Sequence, residues 1–134
     1  MNILFFLTPK SEVAYIDDTC YIRQALEKMK HYGYTAIPII NAEGKYIGTA
    51  TEGDFLWMFL EQREMSLNDI EHMRVKDMKR RTINEPVSIN ADITDLITTA
   101  MKQNFVPVID DDNVFIGIVT RKDILQYCHE KMFK

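Results

Sequence analysis

The sequence predicts an α/β (α+β) fold made of two related halves, each a small, mostly antiparallel or mixed sheet flanked by helices. Three observations carry this. The stretches "YIGTATEGD" (46–54) and "FIGIVTRKD" (115–123) place Gly, Thr and Asp at three-residue steps in the same aromatic-Ile-Gly setting. The offset of 69 that relates Gly48 to Gly117, Thr51 to Thr120 and Asp54 to Asp123 also carries Pro38 onto Pro107, Ile40 onto Ile109, Ile47 onto Ile116 and Leu56 onto Leu125, without a gap. In each half the local signals also follow one order: helix, short apolar strand, turn, strand, helix. An internal repeat of this kind decides architecture before any local propensity does.

Taken in order, "TPKSEV" (8–13) is a short extended segment that matches "TINEPV" (82–87) at an offset of 74, a register slip that loops allow. Asp17-Asp18-Thr19 then stands ahead of Ile22, Ala25, Leu26 and Met29, a cap followed by apolar residues at helical steps. "AIPII" (36–40), "NAEG" (41–44) and "KYIGTA" (45–50) read as strand, turn and strand, hence a hairpin. Thr51 opens a helix running to about Glu64, with Glu52 and Asp54 in the first turn, where the helix dipole favours carboxylates. A helical bridge is expected over 66–79, with Ser66 as N-cap and Asp69 at the third position. The second half repeats the plan: a helix over about 92–103, "FVPVI", the turn "DDDN", "VFIGIVT", and a helix from Arg121 onward. One such half is too small to bury a sufficient core alone, so the two must share one.

Composition narrows the function. The chain has 134 residues, 46% hydrophobic and 27% charged, which fits a packed globular protein rather than a disordered one. A net charge of −4 lacks the basic footprint of nucleic-acid binding. Cys20 and Cys128 form no CxxC, and His31, His72 and His129 have no paired spacing, so no metal site is expected. Asp110-Asp111-Asp112 lacks the Gly and terminal Glu of a calcium loop and reads as a hairpin turn. No apolar run approaches membrane-spanning length, and "ILFFL" (3–7) is too short for a signal segment, so a cytoplasmic location without membrane contact is expected. No nucleophile-and-base arrangement is spelled out, so the expected role is not that of an enzyme.

The repeated motif has a chemical use. A glycine at a strand end lets the backbone approach a ligand closely. The Thr hydroxyl then sits at a helix N-terminus, where unpaired N–H groups attract anions. The Asp one turn on can accept both hydroxyls of a ribose. Read blandly, Thr is only an N-cap and Asp only a dipole partner; two copies in register favour the ligand reading.

On "IPIINAEGKYIGTATEGDFL" (37–56), "VPVIDDDNVFIGIVTRKDIL" (106–125) and the helices before them, each half resembles a cystathionine β-synthase (CBS) domain. The pair resembles a Bateman module over essentially the whole chain, with repeat 1 at 1–65 and repeat 2 at 66–134. The resemblance implies two pseudo-twofold-related repeats with clefts for adenosine-type ligands: AMP, ADP, ATP, S-adenosylmethionine or cyclic di-AMP. It implies one cleft using Thr120, Arg121 and Asp123 with Thr8, Ser11, Val13, Ala36 and Ile37. The other would use Thr51 and Asp54 with Thr82, Asn84, Val87, Phe105 and Val106.

Within that frame, Arg121-Lys122 after Thr120 favours a phosphorylated ligand in the first cleft, because a guanidinium is the expected partner of a phosphate. Glu52-Gly53 after Thr51 puts a carboxylate in the corresponding place, so the Asp54 cleft is expected to be empty or to prefer an uncharged or cationic adenosine derivative. The basic run Lys79-Arg80-Arg81 stands where it could steer phosphate. "FLWMFL", from Phe55 to Leu60, is apolar all round its helix, so a homodimer through such helices is expected. The expected role is a sensor that signals to an effector protein; the alternative is a dimerisation or interaction scaffold without ligand.

Overall fold

The computed structural model describes residues 2–81 and 83–133. In chain order its strands are β1 (Thr8–Pro9), β2 (Ile16–Asp17), β3 (Ala36–Ile40), β4 (Tyr46–Thr51), β5 (Val87–Ser88), β6 (Phe105–Ile109) and β7 (Phe115–Thr120). Its helices are α1 (Ile22–Tyr32), α2 (Glu52–Glu61), α3 (Leu67–Glu71), α4 (Ile93–Ala100) and α5 (Arg121–Met132). These form two compact units: Ala14–Ile83, and a terminal unit that joins Met1–Val13 to Asn84–Lys134.

In the 14–83 unit the sheet order is β2-β3-β4, with β2 parallel and β4 antiparallel to β3. Pro38 is tolerated in the middle strand because β2 pairs only with Ile39 and Ile40, so no partner on that side needs its missing N–H. Ile22, Ala25, Ile37, Ile39, Ala50 and Val75 are fully buried in this unit's core. The terminal unit has the order β1-β7-β6-β5 around Ile3, Leu96, Val106, Val108 and Val119. Both hairpins shift register at the same repeat position, between Ile39 and Ile40 and between Val108 and Ile109. The repeat seen in sequence is thus a repeat in backbone geometry.

Three local expectations change. The cap of α1 is Tyr21, not Asp17-Asp18-Thr19; Tyr21 N–H donates to Gln24 Oε1 at 2.9 Å. Asp17 instead accepts the Thr19 N–H and hydroxyl at 2.9 and 2.7 Å, bonds that hold its carboxyl below the ordinary value. The bridge over 66–79 is not one helix. Ser66 caps α3 through the Asp69 N–H at 3.0 Å, as its spacing predicts. After His72, however, tertiary backbone bonds take over: Ile22 N–H to Met73 O, Val75 N–H to Cys20 O and Lys76 N–H to Asp18 O, each 2.9 Å. Helical bonding cannot continue where those groups are already paired. Finally, α4 stops at Ala100, and Gln103 turns inward; it accepts from Glu85 N–H at 2.9 Å and donates to the Glu85 and Phe105 carbonyls at 3.0 Å. Among the described residues no helix is long and apolar enough to cross a membrane.

Candidate functional site

In the terminal unit the second motif is built where β7 runs into α5. Thr120 caps the helix, its Oγ1 accepting the Asp123 N–H at 3.2 Å. β1 lies antiparallel on β7, Thr8 opposite Ile118 and Pro9 opposite Gly117. A Cβ on Gly117 would stand 2.2 Å from the Thr8 carbonyl oxygen, and its φ of +154° is one that other residues resist. The glycine therefore admits Thr8 to the motif. A cavity of about 350 Å³ opens beside it, lined by residues that include Leu7, Thr8, Asp123, Gln126, Tyr127 and Glu130. Among the described residues nothing hydrogen-bonds the Asp123 carboxylate. The Arg121 side chain is elsewhere: its Nε donates to the Ala100 carbonyl at 2.9 Å, satisfying the C-terminus of α4, and it does not line this cavity.

The first motif, in the 14–83 unit, is in a different state. Thr51 and Asp54 cap α2 reciprocally, Oγ1 accepting Asp54 N–H at 3.3 Å and Oδ2 accepting Thr51 N–H at 2.9 Å. The other carboxylate oxygen of Asp54 accepts the Arg81 N–H at 2.8 Å, and the residue is only 2% exposed. The Arg80 guanidinium lies on Gly48, where an added Cβ would meet its Nε at 2.8 Å, and it donates to the Ile47 carbonyl at 3.4 Å. The Arg81 guanidinium pairs with Glu61 and lies 5.3 Å from the centre of the Trp57 ring. The basic run is thus folded onto the motif rather than left in solvent. Glu52 faces a separate cavity of about 340 Å³ with Leu26, Met29, Lys30 and Tyr34.

A family model for the CBS domain matches residues 6–61 and 75–130. This chain belongs to the CBS-domain family. The CBS pair is similar to the crystal structure of a CBS domain protein from Streptococcus pneumoniae, 26% identical with a TM-score of 0.86 over 98% of this chain and 88% of that one. It is also similar to the crystal structure of CbpB in complex with c-di-AMP, 25% identical with a TM-score of 0.86 over 98% of this chain and 87% of that one. An uncharacterised protein of Methanopyrus kandleri is 26% identical over 99 residues, 74% of this chain and 49% of its own length. The chain spans about half, or less, of the curated relatives it first matches.

The two CBS units divide the residues singled out in the sequence. Thr8, Ser11, Val13, Thr120, Arg121 and Asp123 fall in the terminal unit, and Ala36 and Ile37 in the 14–83 unit. Of the second set, Thr51 and Asp54 belong to the 14–83 unit, and Asn84, Val87, Phe105 and Val106 to the terminal unit; Thr82 lies outside the described residues. Ser11 is exposed, Asn84 and Ala36 are half-buried, and Val13, Ile37, Val87, Phe105 and Val106 are buried. Sequence reasoning marked Arg80 and Arg81 only as a basic run and missed their seats on Gly48 and Asp54. No local pattern could supply them, because the bonds cross 27 residues in one case and 33 in the other.

Proposed function

We propose that this chain is a regulatory module that binds an adenosine-type ligand and reports it to a partner, and that it is not an enzyme. The carrying observation is the Asp123 carboxylate, which lines a cavity with Thr8 at a helix start while its counterpart Asp54 is already bonded at both oxygens. A carboxylate with open acceptor sites can take a ribose diol. On this reading Asp123 grips the ribose and Thr120 with the start of α5 takes phosphate. Thr8, Ser11, Val13, Ala36 and Ile37 hold the base, with Arg121 as the phosphate's cation once it leaves the Ala100 carbonyl. The Asp54 set, Thr51 with Thr82, Asn84, Val87, Phe105 and Val106, is the weaker site, because a ligand there must first displace the Arg81 N–H. The c-di-AMP in the CbpB complex supports an adenine-containing ligand.

A thermal-shift panel of AMP, ADP, ATP, S-adenosylmethionine and cyclic di-AMP tests this. At a hundred times its dissociation constant a ligand adds about 2.7 kcal/mol, which raises the melting temperature of a domain this size by several degrees. A shift that Asp123→Ala removes and Asp54→Ala keeps supports the reading.

A second reading has its own observation. On α2, Phe55 and Met58 are buried, but Leu56, Trp57 and Leu60 are 56, 48 and 40% exposed. That outer face suits pairing of two copies, so a homodimer is part of the proposal. If no ligand shifts the melting point while sedimentation shows a dimer, the chain is an interaction scaffold.

A further inference from the structure

The two repeats differ in what occupies one corresponding position. In the register of 69, Asp54, Trp57 and Glu61 on α2 correspond to Asp123, Gln126 and Glu130 on α5. In the register of 74, Arg81 corresponds to Leu7. In the 14–83 unit this position is filled: the Arg81 guanidinium sits against Glu61 and Trp57, and its backbone N–H binds Asp54. In the terminal unit the same position is the cavity of about 350 Å³, with Leu7, Asp123, Gln126 and Glu130 on its walls. The Leu7 N–H is directed instead to the Leu4 carbonyl at 3.2 Å, and the leucine side chain supplies no charge. Glu130 therefore borders a space whose counterpart in the sister repeat holds a guanidinium against Glu61, and Asp123 lines the same cavity. None of the residues lining it is cationic, and among the described residues Glu130 has no ion pair. Lys131, next to Glu130 in sequence, lies over the Tyr127 ring with its Nζ 5.5 Å from the centroid.

We propose that this groove along α5 is a receptor site for a guanidinium cation, paired with Glu130 as the Arg81 guanidinium is paired with Glu61, with Asp123 as a second carboxylate on the same cavity wall. The fork of a guanidinium matches a carboxylate in two parallel hydrogen bonds, which an ammonium cannot reproduce. Tyr127 and Phe5 offer ring surface beside it. The cation comes either from a small molecule or from an arginine side chain on a partner. The site shares Thr8 and Asp123 with the proposed nucleotide cleft, but the inference rests on Glu130 and on the filled sister position, so the two can fail separately.

The test titrates the full chain with methylguanidinium chloride and follows the backbone amide resonances of Gln126 and Glu130, with sodium chloride at equal ionic strength as control. Saturable movement that sodium chloride does not produce is expected, and Glu130→Gln should weaken it about tenfold. Gln126→Trp, which restores the ring that Trp57 provides in the sister repeat, should tighten it about threefold. Leu7→Arg should abolish the response by filling the groove from within. A parallel titration with acetyl-Gly-Arg-Gly-amide separates the sources: tighter binding of the peptide assigns the site to a protein side chain, and equal binding assigns it to a free guanidinium. Amides that do not move, or that move equally in Glu130→Gln, overturn the proposal. Loss of every nucleotide response with the methylguanidinium response intact would defeat the nucleotide reading alone.

Discussion

The backbone N–H of Arg81 donates to Asp54 Oδ1 at 2.8 Å, whereas the N–H of Leu7, the residue in register with it, donates to the Leu4 carbonyl at 3.2 Å. Two identical motifs thereby acquire different chemistry: one carboxylate is a structural acceptor and the other faces a cavity. Removing them should have unequal consequences for stability. Asp54→Ala leaves two part-buried N–H groups, of Thr51 and Arg81, without their acceptor and should cost about 2 kcal/mol. Asp123→Ala removes a carboxylate that holds nothing among the described residues and should cost less than about 1 kcal/mol. Urea denaturation of the two variants checks the difference, and equal losses would show that the two carboxylates do the same structural work.

The two motif glycines should also part company. At Gly117 an added methyl collides with the Thr8 backbone at 2.2 Å, and φ is +154°, so neither the neighbour nor the residue can yield. Gly117→Ala should cost about 3 kcal/mol and loosen β1 from β7. At Gly48 the methyl meets the end of the flexible Arg80 side chain, which can swing away. Gly48→Ala should cost under about 1 kcal/mol, and thermal unfolding of the pair reads both.

Gln103 is 6% exposed and makes three hydrogen bonds, two of them to the backbone of Glu85. Gln103→Leu keeps the bulk but leaves one N–H and two carbonyls without it, so a loss of about 2–3 kcal/mol is expected. Hydrogen exchange should then speed up at the Glu85 amide before it does in the core of β6.

Burial raises the pKa of the Cys20 thiol above its ordinary value, with the Asp17 charge adding to the effect against Lys28 and Arg74. A raised pKa means a smaller thiolate fraction at any given pH, and the thiolate is the reacting form. Alkylation of Cys20 by iodoacetamide should therefore be slower than that of a free cysteine near pH 8, with its rate–pH curve displaced upward. A rate equal to that of free cysteine would contradict the burial.

By itself the sequence determined the repeat, the hairpin and the two flanking helices of each half, the caps Ser66, Thr51 and Thr120, and the family, because these depend on spacing and on residues bonded to near neighbours. It could not show that 66–79 breaks after α3, since the amides of Val75 and Lys76 are claimed by carbonyls at Cys20 and Asp18. Nor could it show that Met1–Val13 joins the unit of the second repeat, a pairing made by β1 with β7. The sequence placed a cation beside Thr120 and a carboxylate beside Thr51, but tertiary structure turned Arg121 to the Ala100 carbonyl and folded Arg80 and Arg81 onto Gly48 and Asp54. Charge order along a chain says which groups are near in sequence. Which of them meet depends on where buried backbone and carboxylate groups find their hydrogen bonds, and that is decided only when the chain closes on itself.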